Sequence, residues 1–214
     1  RPGRTQFRFA LGVIRAWSPE LSAWTSLRAI RSVGRAMRTL DPDPARTCAD
    51  RAVDAFARVT GLGREEAAHR LMGSSEKVFR TLQPHFFPLP GAQDFVRWAS
   101  QHFSLVLATD PVWLREIIEH RVRWAGLDPA VFKFISHAGI MRACKPHPEY
   151  FQQVLDLNGL LARDCWMIGN EERMDLPARQ VGLPVFLVGK DLKPQAGVRT
   201  GSFAALRKLL ETPA

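Results

Sequence analysis

The chain has little cysteine, almost no acid near its start and no long apolar run, and each shortage excludes something. Cys48, Cys144 and Cys165 are its three cysteines, odd in number and widely spaced. That argues against a disulfide framework and for a reducing, cytoplasmic setting. They lack paired zinc-ligand spacing, so a structural metal site is not expected. No apolar stretch approaches the roughly 18 residues of a transmembrane helix, so no membrane partner is expected. The first residues are basic but lead into neither a clean apolar segment nor a small-residue cleavage site, so no signal peptide is expected. Over the first forty residues Arg1, Arg4, Arg8, Arg15, Arg28, Arg31, Arg35 and Arg38 stand against one acid, Glu20.

That bias produces most of the net charge of +9, since the rest of the chain is close to balanced. A basic face can serve phosphate or anionic lipid. The favoured reading is the solvated side of surface helices, because no aromatic-basic nucleic-acid motif accompanies the arginines. A nucleic-acid partner is therefore not expected. The 46% hydrophobic and 24% charged fractions are ordinary for a soluble globular protein, and 214 residues can bury a large core.

The rhythm of the chain changes near residue 85, which divides it into a helical segment over 1–84 and an α/β segment over 85–214. Ser18-Pro19-Glu20 reads as a helix start. Leu21, Trp24, Leu27, Ile30, Val33 and Met37 recur at helical spacing until Asp41-Pro42-Asp43-Pro44 stops them. Phe7 to Trp17 reads as an earlier helix, and Trp17 and Trp24 read as core residues of a bundle. Val53 to Val59, Arg64 to Met72 and Glu76 to Leu82 predict three more helices.

Beyond residue 85, strands and helices alternate. Phe103–Ala108, Phe132–Ser136, Cys165–Ile168 and Val185–Val188 predict parallel strands of one doubly wound sheet with helices on both faces. Helices are expected over Val112 to Ala125, Pro148 to Asn158, Leu176 to Val181 and Ser202 to Leu210, with Gly126, Gly159 and Gly182 as stops.

Three polar blocks follow predicted strands, and in an open α/β sheet ligands bind at that carboxyl edge. Thr109 precedes Asp110-Pro111; its hydroxyl can donate to a phosphate oxygen, or it caps the helix expected from Val112. Lys145 lies in Cys144-Lys145-Pro146-His147-Pro148, before a helix, where an ammonium can meet the charge of a phosphoryl transition state. His147 reads as a loop residue. Gly169-Asn170-Glu171-Glu172-Arg173-Met174-Asp175 carries carboxylates of the kind that suit Mg²⁺, with Glu171 and Asp175 as candidates.

In that order the blocks resemble signature segments of the haloacid dehalogenase-like (HAD) hydrolases, from roughly Arg31 to Leu210. The likeness is strongest in LVLATDPVWLREIIEHRVRWAGL, ISHAGIMRACKPHPEYFQQVL and MIGNEERMDLPARQVGLPVFLV. The resemblance implies a HAD-like Rossmannoid core with a helical cap, and Mg²⁺-dependent hydrolysis of a small phosphorylated substrate. It implies Thr109 and Lys145 as catalytic residues, Thr109, Asp110 and Lys145 as phosphate-binding, and Asn170, Glu171 and Asp175 as metal-binding. Two departures accompany it. The family's metal-binding Asp is Asn170 here, and the Asp-x-Asp-x-Thr nucleophile segment is not visible. Phe9 to Arg15 carries Gly and Ile where its aspartates would stand. A phosphohydrolase inactive or incomplete as given is therefore expected, with a non-catalytic binder of a phosphorylated ligand or partner as the alternative.

Overall fold

In the computed structural model, which describes residues 2–41, 43, 45–189 and 197–212, local signals set many of the helix ends. In chain order the elements are α1 (Pro2–Trp17), α2 (Ala23–Arg38), α3 (Cys48–Thr60), α4 (Arg64–Arg80), α5 (Ala92–His102), β1 (Leu105–Leu107), α6 (Arg115–Trp124), β2 (Phe132–Ile135), α7 (Pro148–Asn158), β3 (Met167–Gly169), α8 (Glu172–Asp175), β4 (Val185–Val188), β5 (Arg199–Gly201) and α9 (Phe203–Glu211). They pack as two units. The first takes the described residues up to Phe87 with Asp110–Pro129 and Ser136–Cys144; the second takes Pro88–Thr109, Ala130–Ile135 and the described residues from Lys145 onward.

The first unit is helical. Thr47 and Asp50 form a reciprocal capping box at the start of α3, and Gly61 ends it at a φ of 75°. Helix α2 starts at Ala23, four residues after Pro19, because Ser22 supplies the cap that accepts from Thr25 N at 3.1 Å. Ser18 instead donates back to the Arg15 carbonyl and prolongs the end of α1. Pro42 and Pro44 of the expected stop lie outside the described residues, and α2 closes earlier, on Thr39.

The two helices expected around Gly73 are one, α4. An interior glycine costs about 1 kcal/mol, and burial of Leu71, Val78 and Phe79 on either side outweighs it. Trp17 is core, 3% exposed, and donates to Ser74 Oγ; Trp24 faces solvent at 65% exposure, contrary to its helical-stripe reading. Helix α6 joins this unit through Ile117, which packs with Phe79 and Leu82. Its first residue is Arg115 and its cap position is Leu114, so Thr109 does not cap it.

Among the described residues the second unit holds five strands, every pairing parallel. The four predicted strands are present but do not form one sheet. β1 pairs with β2, with Val106 opposite Phe134, and β3, β4 and β5 form a separate ribbon with Ile168 opposite Phe186. Among the described residues no strand bonds between β1 and β3. Both ribbons nevertheless contribute to one core, where Leu105 of β1 and Ile168 of β3 pack against Phe95, Ala99, Phe186 and Leu206. β5 was not expected, since Arg199-Thr200-Gly201 is polar and largely exposed. Helix α7 starts on Pro148 and stops at Gly159, as its signals predict.

Candidate functional site

Within the second unit the site is built around one buried acid, Asp175, at the end of α8. Its Oδ2 accepts from the amides of Asn170 at 3.0 Å and Glu171 at 3.1 Å, just past the end of β3. Its Oδ1 accepts from Lys145 Nζ at 2.7 Å. Gly169 makes the approach possible, because a Cβ there would stand 2.2 Å from Asp175 Oδ2. The glycine serves close contact between a strand end and a carboxylate, which no side chain would permit.

Lys145 and Asp175 are only 5% and 4% exposed. A buried charge is tolerated when it is paired and hydrogen-bonded, and this pair meets both conditions. The ammonium also lies 5.6 Å from the ring centre of Tyr150 and 5.5 Å from that of Phe151, within range of attraction by the aromatic faces. Tyr150, itself fully buried, donates its hydroxyl to the Thr109 carbonyl at 2.8 Å. A continuous chain of contacts thus runs from Thr109 beyond β1, through Tyr150 and Lys145, to Asp175 and the amides beyond β3.

Thr109, Lys145, Asp175 and the backbone of Asn170 and Glu171 are therefore gathered at the carboxyl ends of β1 and β3. Asp110 is not among them: it packs in the first unit, where Arg38 donates to its Oδ2 at 3.5 Å. Sequence reasoning missed Tyr150. Tyr150 is the one tyrosine of the chain and sits one turn beyond the Lys-Pro step, which is the signal that could have found it.

The donor set does not fit Mg²⁺ as it stands. Mg²⁺ wants near-octahedral oxygen ligation with at least one available carboxylate. Both Asp175 oxygens are already committed to an ammonium and two amides. Asn170 and Glu171 are exposed, and Asn170 offers only a neutral oxygen. Among the described residues no three His, Cys, Asp or Glu side chains gather as a metal site.

Among solved structures, 2-haloacid dehalogenase from Pseudomonas syringae pv. tomato superposes with a TM-score of 0.58 at 19% identity, over 94% of this chain and 90% of that one. The HAD-hydrolase YfnB from Bacillus subtilis, bound to magnesium, gives 0.56 at 19% identity over 97% and 92%. A HAD phosphatase from Thermococcus onnurineus gives 0.53 at 15% identity over 76% and 88%.

The chain has the HAD-like fold.

No protein-family profile matches the sequence, and no curated protein does. Identity this low carries architecture and not activity. The HAD-like fold does account for the α/β second unit and the helical first unit. Among the described residues no helix is long and apolar enough to cross a membrane.

Proposed function

We propose that Thr109 and Lys145 belong to the anion-binding part of a HAD-like phosphohydrolase site, and that the 214-residue polypeptide binds a small phosphorylated ligand without turning it over. The observation that carries this reading is the buried Lys145–Asp175 pair beyond the carboxyl ends of parallel strands. An ammonium has three N–H bonds. Asp175 takes one and holds the group in place, and the others remain for phosphate oxygens. The Thr109 hydroxyl supplies a further donor. Together they neutralise charge on a transferring phosphoryl group without forming a bond to it.

What these residues do not supply is a nucleophile. Positioning groups alone recover a small part of the acceleration that covalent catalysis provides. Mg²⁺ dependence is what the resemblance implies, and with Asn170 in place of a carboxylate and both Asp175 oxygens committed the residues present do not fit the ion. The helices of the first unit act as a cap that selects substrate, and the working compartment is the cytoplasm.

The commitment of both Asp175 oxygens also favours a second reading: a HAD-like protein that binds a phosphorylated ligand or partner and hydrolyses it in no form. Assay of the polypeptide with para-nitrophenyl phosphate and Mg²⁺ is expected to show negligible turnover. Calorimetric titration with inorganic phosphate is expected to show weak binding that Thr109→Val diminishes. Turnover that persists through purification and vanishes in Lys145→Ala would overturn the proposal, as would phosphate binding untouched by both substitutions.

A further inference from the structure

Cys48 and Cys144 are 96 positions apart in the sequence, yet their sulfurs lie 3.5 Å from each other inside the first unit. Both are buried, at 0% and 1% exposure. Two backbone bonds hold the segments together: Cys48 N donates to the Met141 carbonyl at 2.7 Å, and Ala49 N donates to the Ala138 carbonyl at 2.9 Å. The pair is thus fixed by the fold and not by chance contact of mobile side chains.

A second observation concerns Arg51, which is 5% exposed. Its guanidinium donates to the carbonyls of Ala36 at 3.1 Å, Met37 at 3.1 Å and Arg142 at 2.7 Å, and to Cys48 Sγ at 3.3 Å. Carbonyls satisfy its N–H groups but carry no charge. Among the described residues Arg51 forms no ion pair with a carboxylate, so the sulfur of Cys48 is the group in contact that can carry the counter-charge a buried cation needs. Cys144 Sγ lies against that same sulfur, where either thiol can donate, and Cys48 is the first residue of α3.

We propose that Cys48 and Cys144 form a peroxide-sensitive dithiol, in which Cys48 is the attacking thiolate and Cys144 the resolving thiol. The hydrogen bond from Cys144 lowers the Cys48 pKa, Arg51 adds to the effect, and burial and Asp110 oppose it. The Cys144 thiol is raised, first by its bond to Cys48 and then by burial. One sulfur favours the thiolate and its neighbour retains a proton, the division of roles that disulfide formation uses.

The oxidant is a small hydroperoxide, matched to a buried pair. The Cys48 thiolate attacks one peroxide oxygen, the O–O bond breaks, and hydroxide leaves with the electron pair to give a sulfenic acid. The Cys144 sulfur then attacks Cys48 Sγ, the S–O bond breaks, and the departing hydroxide takes the Cys144 proton as water. With the first hydroxide protonated from solvent, one hydrogen peroxide oxidises two cysteines to a disulfide and yields two waters. The sulfurs must close from 3.5 Å to about 2.05 Å.

The test exposes the native protein to hydrogen peroxide, then denatures it, alkylates every remaining thiol and maps the peptides by mass. The expected result is a Cys48–Cys144 linked peptide, loss of alkylation at both positions, retained alkylation at Cys165, and reversal by dithiothreitol. In Cys144→Ser the expected result is a Cys48 sulfenic acid captured by dimedone; in Cys48→Ser, Cys144 stays alkylatable. Full alkylation of Cys48 and Cys144 in the treated wild-type protein, or oxidation confined to Cys165, overturns the proposal. That reading is made on the wild-type chain and stands even where a serine variant does not fold.

Discussion

Lys145 Nζ donates to Asp175 Oδ1 at 2.7 Å, with both side chains nearly excluded from solvent. The two residues are 30 positions apart, and the bond joins the loop before α7 to the last residue of α8. Removing one partner leaves the other charged and buried. Asp175→Asn is expected to lose about 3–5 kcal/mol of folding stability, as is Lys145→Met. The double variant is expected to lose less than the sum, since no unpaired charge remains. Denaturant unfolding of all four proteins measures this, and additive losses would show that the pair is not coupled.

Glycine positions separate contact from propensity. Gly169→Ala places a Cβ 2.2 Å from Asp175 Oδ2, and two hydrogen bonds to that oxygen with a third to Oδ1 hold the carboxylate in place. A loss of about 1–3 kcal/mol is expected, together with weaker phosphate binding. Gly73→Ala in α4 meets nothing within 4 Å and should instead stabilise by about 0.5–1 kcal/mol. Thermal unfolding of the two variants would settle the contrast in sign.

Asn170→Asp adds a carboxylate in an exposed position just past β3. Mg²⁺ affinity is expected to rise, because a charged oxygen binds the ion better than an amide. Phosphatase activity is expected to stay absent, since the substitution adds no nucleophile. Calorimetric titration of both forms with Mg²⁺ is the check, and equal affinity would mean that residue 170 does not face the metal position.

Acid stability of the first unit depends on its capping box. The Asp50 carboxyl accepts from the Thr47 hydroxyl at 2.7 Å and the Thr47 amide at 3.0 Å, and Arg64 donates to its other oxygen at 2.6 Å. The Thr47 hydroxyl is the largest cause holding its pKa below the ordinary 3.8, ahead of the amide and Arg64. A depressed carboxyl pKa gives stability that is complete above the unfolded value and lost as pH falls through the folded one. The box therefore contributes fully above about pH 4 and fades below it. Thr47→Ala should cost about 1 kcal/mol near neutrality and flatten the fall in stability below pH 4. Circular dichroism melts across that pH range would show an unchanged slope if the box contributes nothing.

Much of this arrangement was legible in local sequence signals, and the misses share one cause. Pro148 and Gly159 bound α7 as expected because starting and stopping a helix are short-range events. The Val185–Val188 strand was found because a buried parallel strand is an apolar run. Periodicity does not say which neighbours a helix packs against, so the transfer of α6 and Asp110 to the helical unit was invisible. The pairing of Lys145 with Asp175 and the meeting of Cys48 with Cys144 are both long-range. The residue types announced their chemistry, and only the fold supplied the partner. Arg199-Thr200-Gly201 lacked any apolar signal, because it joins β4 through backbone bonds with both of its side chains exposed.

The division of the strands into two ribbons also bears on how the protein behaves in a tube. Among the described residues β3 pairs as a strand only with β4, so its other side is a sheet edge. Such edges accept any extended chain that can match their spacing, including another molecule's. Self-association should therefore rise with protein concentration. Light scattering through a dilution series would show it, and work with this polypeptide is best done dilute.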